Sequence, residues 1–265
     1  TGNSEAGVQI SSSADDYINL GNWFNYQTFT LSLWVYPYSS QNGNTDLIDN
    51  NHNGSANWVI EQNGSTVNQY VWWASDGTNI VFNLTPNTWQ HLAITRDGTN
   101  VNRVYINGVL VATAAGSGQV NYNGSQYLRL GRWGGGGRNW NGILDDFRVW
   151  GRALSQGEIS AGMSGTLTGS ETDLLGYWPL NEGYGTTSAD LSPSNHVASF
   201  VGGPSWVNLG PTNAASPGLW AQYMLYFDMT NPTPPQITSV SLPANGATST
   251  NIWSSFTVGF SEDMD

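Results

Sequence analysis

The stretch of this sequence best suited to hold a metal ion is DLIDNNHN, residues 46–53. Its acidic and amide residues follow one another between two predicted strands. Their oxygens are the kind of ligand that Ca²⁺ accepts, about six to eight at a time. We predict one Ca²⁺ here, and the alternative is an ordinary asparagine-rich turn. The predicted ligands are Asp49, Asn50, Asn51 and Asn53.

A second stretch, RWGGGGRNW at residues 132–140, has the side chains of a ligand-binding loop. Aromatic faces stack on the C–H surfaces of sugars, while arginine and asparagine bond to hydroxyls or carboxylates. Four consecutive glycines are more than a simple connection needs. The candidate ligand-binding residues in this loop are Arg132, Trp133, Arg138, Asn139 and Trp140.

A further candidate comes from two consecutive tryptophans, Trp72 and Trp73. Successive side chains of a strand point to opposite faces, so one of the two faces away from the core or lines a groove. We add Trp73 to the candidate ligand-binding residues. The alternative is that most of the 13 tryptophans are core residues.

Composition excludes several classes of partner. The chain has 265 residues, no cysteine, seven basic residues and 19 acidic ones, for a net charge of −12. Nucleic acids and anionic membranes favour the opposite balance. There is no apolar run of transmembrane length, so we predict no membrane insertion. The polar surface of Asn, Gly, Ser and Thr is typical of secreted bacterial proteins, and we expect an extracellular or cell-surface location.

The elements that position these residues are mostly strands. Alternating apolar runs recur every eight to twelve residues and are separated by turn residues such as Asn63-Gly64, Asp76-Gly77, Asp97-Gly98 and Asn107-Gly108. This pattern predicts an all-β fold. The clearest predicted strands cover residues 29–36, 58–62, 70–74, 80–84, 89–96, 103–112, 127–131 and 142–150.

The segment GILDDFRVWGRALSQGEI, residues 142–159, changes from strand to helix. A period of two puts Asp145 on the same face as Phe147 and Val149, which predicts an inward carboxylate. Arg96, Arg148 or backbone amides could neutralise it, so we expect a structural role. Ser155, followed by a Glu three positions later, predicts a capped helix over residues 155–163.

Two segments carry a family resemblance. WQHLAITRDGTNVNRVYINGVLVAT and YLRLGRWGGGGRNWNGILDDFRVWGRALSQGEI resemble the LamG-like jellyroll, the laminin-G/pentraxin branch of the concanavalin A-like lectin fold. The resemblance implies an antiparallel two-sheet jellyroll sandwich over about residues 5–210, with Leu154 and Ile159 anchoring the short helix on it. It also implies a calcium loop at Asp49-Asn50. The acidic residues of the pentraxin two-calcium site are replaced here by the glycine-rich loop.

Some proteins with this fold are β-glucanases, so glycoside hydrolysis is an alternative function. A retaining enzyme needs two carboxylates about 5 Å apart, and related glucanases place them in a Glu-x-Asp-x-Glu run. No two of the six glutamates here lie within four residues of each other. The three histidines show no zinc or nucleophile spacing. We predict that the protein is not an enzyme.

The predicted domains are a jellyroll over residues 1–210, a linker with one apolar strand over 211–235, and a partial Ig-like fragment over 236–265. The last resembles the beginning of bacterial Ig-like domains. The leading functional hypothesis is an extracellular bacterial module that binds a glycan or a surface glycoprotein with the help of Ca²⁺. One alternative is a filament or surface-layer subunit that binds its own copies through residues 219–265. A glycoside hydrolase is a third hypothesis.

Overall fold

The structure is a computed structural model of the chain. It describes residues 6–12, 15–41, 43–50, 57–64, 66, 68–122, 127–211, 237–240 and 258–260. The chain divides into two compact units, residues 1–215 and 216–265. No helix in these described ranges is long and apolar enough to cross a membrane.

The first unit consists of two antiparallel sheets of eight strands each, which confirms the predicted sandwich. In spatial order, sheet A contains β10 (Val109–Ala115), β9 (Val101–Ile106), β8 (Gln90–Arg96), β3 (Phe29–Pro37), β12 (Gly142–Trp150), β1 (Gly7–Ile10) and β16 (Ser205–Val207), and β13 (Leu174–Trp178) also pairs with β12. Sheet B contains β14 (Thr187–Ser188), β15 (Ala198–Val201), β2 (Tyr17–Asn22), β11 (Tyr127–Leu130), β4 (Thr45–Asn50), β5 (Trp58–Gln62), β6 (Gln69–Ala74) and β7 (Asn79–Asn83).

The eight predicted strands are all present, but the stretch expected to be a loop, residues 46–53, belongs to strand β4 as far as Asn50. Predicted run 103–112 is a hairpin of β9 and β10 rather than one strand, because Asn107 and Gly108 form its turn. Both residues have positive φ, 51° and 75°, as a tight two-residue hairpin turn requires. Of the second unit, the structure describes only β17 (Ile237–Val240) and β18 (Val258–Phe260), which pair antiparallel. The predicted apolar strand at 219–227 lies outside the described residues.

Large aromatic side chains fill the space between the two sheets. Trp58 and Trp72 are fully buried there with ring centroids 5.1 Å apart, and Phe24 and Phe29 meet edge to face at the same distance. Such pairs contribute about 0.5–1.5 kcal/mol beyond the area they bury. Because Trp72 points into this core, its neighbour in β6 points outward.

The prediction that Asp145 points into the core is wrong. Leu144, Phe147 and Val149 belong to the buried core cluster, so Asp145 lies on the outer face of sheet A. The pairing of β12 with β3 shifts register between positions 145 and 148, and Asp146 has a φ of 53°. This β-bulge inserts an extra residue and reverses the alternation that the sequence pattern assumed.

The helix α1 (Gln156–Gly162) packs on this outer face of sheet A. Ser155 and Glu158 form the predicted capping box, in which each side chain accepts the other residue's backbone N–H. Leu154 and Ile159 are buried in a second cluster that also contains Trp150. The helix therefore covers one end of the sheet, as the sequence indicated.

Arg148 fastens the C-terminal end of α1 to the bulge. Its Nε donates to Asp146 Oδ1 at 2.7 Å, and its Nη2 donates to the other oxygen of the same carboxylate. The same guanidinium donates to the carbonyl oxygens of Gly162 and Gly165 at 2.8 and 2.9 Å. The last turn of α1 has no basic residue of its own, so Arg148 supplies the positive charge that its carbonyls favour. Arg96 pairs elsewhere, with Asp76.

We predict that Arg148→Ala lowers the free energy of unfolding by about 3–5 kcal/mol, because it leaves the Asp146 carboxylate without its partner. Arg103→Ala is the control. Arg103 pairs with Asp97 at 2.7 Å, but the two side chains are 32% and 24% exposed, so its loss costs below about 1 kcal/mol. Urea denaturation measures both values, and equal losses would contradict the proposed fastening of the helix.

Candidate ligand-binding face

The outer face of sheet B carries a continuous row of side chains from four neighbouring strands. Arg129 lies opposite Asp49, Asp49 opposite Val59, and Val59 opposite Trp73. Asn19 in β2 extends the row beyond Arg129. Residues directly opposite each other on paired strands share a face. The three strand steps from Arg129 to Trp73 span about 14 Å. The two middle residues of the row are fully buried, so only its ends are accessible to a ligand.

The glycine-rich loop, residues 131–140, is attached to the same sheet at both of its ends. At its start the N–H of Gly131 donates to the carbonyl oxygen of Leu47 at 2.9 Å. Near its end the N–H of Asp46 donates to the carbonyl oxygen of Arg138 at 2.9 Å. Both partners belong to β4, so the loop is held beside the row of outward side chains.

Each of the four consecutive glycines, residues 134–137, has a physical reason. A Cβ on the first would lie 2.8 Å from the Arg129 guanidinium, and one on the second would lie 2.6 Å from the ring of Trp133. The third and fourth have φ values of 89° and 73°, which side chains disfavour. The N–H of Gly134 donates to Asp49 Oδ2 at 3.0 Å. The glycines therefore allow the loop backbone to approach the carboxylate in the row.

Three guanidinium groups on this face share one arrangement: each lies over an aromatic ring and pairs with a carboxylate. The sets are Arg129 with Tyr127 and Asp49, Arg132 with Tyr17 and Asp15, and Arg138 with Trp133 and Glu61. The cation–ring distances are 4.6, 4.8 and 5.3 Å. Stacking and pairing together fix side chains that would otherwise be mobile.

Asp46 is a buried carboxyl group beneath the loop. Neither of its oxygens has a hydrogen-bond partner among the described residues, and Arg138 Nη1 lies 3.8 Å away. Burial raises the pKa of Asp46 to about 8, with smaller increases from the charges of Asp49 and Glu61 and a decrease from Arg138. At neutral pH this group is mostly protonated, so it adds little charge to the face.

The structure separates the predicted ligand-binding residues into two groups. Trp140 is fully buried and its Nε1 donates to the hydroxyl of Tyr70 at 2.9 Å, so it is a core residue and the prediction for it is wrong. The other predicted residues are half-buried on or beside the outer face of sheet B and stay predictions. They are Trp73, Arg132, Trp133, Arg138 and Asn139.

The predicted calcium ligands do not fit a metal ion where the structure describes them. Asp49 Oδ2 already accepts from Arg129 at 3.2 Å and from the N–H of Gly134. The amide of Asn50 is buried, donates to the carbonyl oxygen of Tyr127 at 3.1 Å and accepts from Asn57 at 3.0 Å. Arg129 thus already neutralises the Asp49 carboxylate.

The other two predicted ligands, Asn51 and Asn53, lie outside the described residues. Within the described ranges, no group of three or more His, Asp or Glu side chains could hold a metal.

Sequence reasoning missed part of this face. Arg129 and Glu61 each stand one position from core residues in their strands, so the alternation already indicated that they point outward. The same alternation points Tyr127 outward, two positions before Arg129 in β11. The contact of Tyr17 with Arg132 could not be assigned in this way, because the two residues are far apart in the chain.

The family follows from comparison with known proteins. Residues 10–160 match the family model described as the concanavalin A-like lectin/glucanases superfamily. The chain belongs to this superfamily. No curated protein matches the chain.

Two solved structures share this lectin-like fold. One is a candidate carbohydrate-binding protein from Bacteroides ovatus, with a TM-score of 0.64 and 18% identity over 78% of this chain and 60% of that one. The other is the heptameric SAP-like pentraxin of Limulus polyphemus, with a TM-score of 0.54 and 13% identity over 76% of this chain and 93% of that one. The lectin-like chain thus spans 60% of the length of the Bacteroides protein.

Asp46 gives a pH prediction for the lectin-like unit. Its folded-state pKa lies above its unfolded value, so the folded protein keeps a proton that the unfolded chain releases between about pH 4 and 8. The free energy of unfolding therefore falls as pH rises through this interval, by up to about 1.4 kcal/mol per pH unit. Asp46→Asn removes this dependence, and its stability relative to wild type rises with pH.

Urea denaturation at several pH values between about 5 and 8 measures this difference. Asp97→Asn is the control, because the hydrogen bonds of Asp97 lower the pKa of that carboxyl group and keep it ionised throughout the interval. A constant difference between Asp46→Asn and wild type over the whole interval would refute the protonation of Asp46.

Proposed function

We propose that the outer face of sheet B binds a glycan, and that the protein is a non-enzymatic recognition module of a bacterial cell surface. The observation that carries this proposal is the set of three arginines, each stacked on an aromatic ring and paired with a carboxylate, beside the half-buried Trp73. The lectin-like fold and the carbohydrate-binding candidate among its structural neighbours support it.

The chemistry of the face suits the surface of a sugar. Aromatic rings stack on C–H groups, whereas planar guanidinium and carboxylate groups bond hydroxyl pairs at fixed angles. Because ion pairs and ring stacking hold the arginines in place, binding has less side-chain entropy to overcome. Pairing also leaves the face nearly neutral, which suits hydroxyl recognition.

The position of the acidic groups supports a non-catalytic role. Asp46, Asp49 and Glu61 converge here, but Asp46 and Asp49 are fully buried, and of these three only Glu61 is accessible, with 24% of its side chain exposed. The other accessible carboxylate of the face, Asp15, is paired with Arg132 beyond the opposite end of the row. Hydrolysis with two carboxylates needs both to reach the scissile bond. Glu61 is also paired with Arg138 at 2.8 Å. We propose binding without hydrolysis on this basis.

This proposal gives calcium no direct part at the face, because Arg129 and Gly134 engage the Asp49 carboxylate. Glycan binding by the folded protein should therefore be the same in EDTA and in calcium. A loss of binding in EDTA that calcium restores would favour the original prediction of a Ca²⁺-assisted site.

A glycan array identifies the ligand and tests the proposal. We predict that Trp73→Ala and Trp133→Ala each weaken binding at least about tenfold, since buried aromatic contacts commonly contribute about 2 kcal/mol to recognition. Tyr184→Ala is the matched control, because Tyr184 is an aromatic residue with 74% exposure in the segment between β13 and β14, outside the row and the glycine-rich loop. Unchanged binding in both tryptophan variants, or no glycan bound by the wild type, would refute the proposal.

A second candidate function is assembly with copies of the same chain, and one observation favours it. Strands β7 and β10 are the end strands of their sheets and lie side by side. Neither has a charged residue, although the chain carries a net charge of −12. Exposed edge strands usually carry charges that prevent pairing. The exposed apolar residues here are Val81, Val109, Leu110 and Val111.

Multi-angle light scattering tests this second candidate with the full chain. If the β10 edge mediates assembly, the wild type forms oligomers and Val111→Lys is monomeric, because a lysine there opposes strand pairing. Leu209→Lys adds the same charge at another exposed apolar position and should leave the oligomers intact. A monomeric wild type at high concentration would remove this candidate.

A further inference from the structure

We propose that Asp145 and Glu182 form a calcium site at a junction in sheet A, distinct from the ligand-binding face of sheet B. The proposal rests on where the β12 bulge lies, on two buried carboxylate oxygens without partners, and on the pairing of every arginine elsewhere. It does not depend on the proposed glycan binding.

The junction is the point along β12 where pairing with β1 ends and pairing with β13 begins. β1 pairs with the first part of β12, residues 142–144, and β13 pairs with the last part, residues 147–150. Asp145 and Asp146 lie between the two. The N–H of Asp146 donates at 3.2 Å to the carbonyl oxygen of Pro179, directly after β13. The bulge therefore brings Asp145 next to the segment that contains Glu182.

Asp145 is buried in a state that requires a partner. The residue is only 2% exposed, and its side-chain oxygen Oδ1 has no hydrogen-bond partner in the described structure. Burial raises the pKa of Asp145, and the carboxylates of Asp146 and Glu182 raise it further, against decreases from a backbone hydrogen bond of Asp146 and from the charge of Arg148. Buried carboxylates in proteins are normally paired with a cation or bound to a metal.

Hydrogen bonds hold one carboxylate oxygen of Glu182 and leave the other without a partner. Its Oε1 accepts from the hydroxyl of Ser188 and from the N–H of Ala189, both at 2.8 Å. Its Oε2 is buried and has no hydrogen-bond partner among the described residues. Two bonds thus fix the orientation of the carboxylate, and its remaining oxygen is available as a ligand.

No arginine of the chain is left to neutralise these two groups alone. The chain has seven basic residues, all of them arginines, and each pairs with a different carboxylate. The pairs are Arg96–Asp76, Arg103–Asp97, Arg129–Asp49, Arg132–Asp15, Arg138–Glu61, Arg148–Asp146 and Arg152–Glu158. Burial and Arg148 lower the pKa of His91 to about 3, so it is neutral as well.

The remaining choices are two bound protons or one bound cation. A divalent cation bound between Asp145 and Glu182 would satisfy both orphan oxygens, and two hard carboxylate oxygens favour Ca²⁺. Asp146 is not available as a third carboxylate, because Arg148 occupies both of its oxygens. The other ligands are then backbone carbonyl oxygens and water, which complete most calcium sites. The ion would join the β12 bulge to the segment after β13.

Calcium titration of the full chain, first freed of metal with EDTA, tests the proposal. We expect calcium to raise the Tm of wild type by about 5–10 °C when its free concentration is about 100 times Kd. Asp145→Asn and Glu182→Gln should each abolish this shift. Asp49→Asn is the control, and it should keep the full shift because Asp49 lies on the other sheet.

Tb³⁺ luminescence provides a second readout at a temperature where every variant is folded. Trp34 lies opposite Asp145 in β3 and serves as the sensitiser, so wild type should give a signal that calcium displaces. Glu182→Gln alone decides the outcome if Asp145→Asn does not fold. An absent calcium shift in wild type would show that the two groups are protonated and would overturn the proposal. A shift lost in Asp49→Asn but kept in the other variants would assign the metal to sheet B.

Discussion

The structure depends on how few basic residues neutralise many acidic ones. All seven basic residues are arginines, and each lies within ion-pair distance of a carboxylate, although there are 19 acidic residues to choose from. A buried carboxylate is stable only where a guanidinium, several backbone N–H groups, a proton or a metal balances it. Where backbone N–H groups do not reach it, the positions of the arginines decide whether a buried carboxylate can be structural. Asp76, Asp49 and Asp146 have such partners, whereas Asp46 and Asp145 depend on other means.

The same constraint shapes the two faces of the sandwich differently. On sheet A, one guanidinium connects the β12 bulge with the end of α1, so the charge serves to hold the helix in place. On sheet B, three guanidiniums stand beside aromatic rings at the surface, where they remain accessible to a ligand. Loop residues 131–140 matter to the second face because their glycines let the backbone N–H of Gly134 reach Asp49.

Local patterns in the sequence predicted most of the fold, and long-range contacts account for what they missed. Alternation of apolar and polar residues predicted the strands, turn dipeptides predicted the hairpins, and the capping box predicted the helix. Alternation failed at Asp145 because a bulge depends on the neighbouring strands. Trp140 was misplaced because its burial in the core involves a contact with Tyr70, 70 positions away in the chain. The partner of Asp49 could not be predicted either, since Arg129 is 80 positions away in the chain.

The pairing of β1 with β16 has a consequence for how the sandwich forms. Val8 lies opposite Trp206, so strands from the two ends of the lectin-like unit are neighbours in sheet A. Bringing such distant residues together has a high loop-closure entropy and makes folding slow. During synthesis, the first strand emerges from the ribosome long before its last neighbour exists. Sheet A can reach its final hydrogen bonding only after nearly the whole unit has been translated.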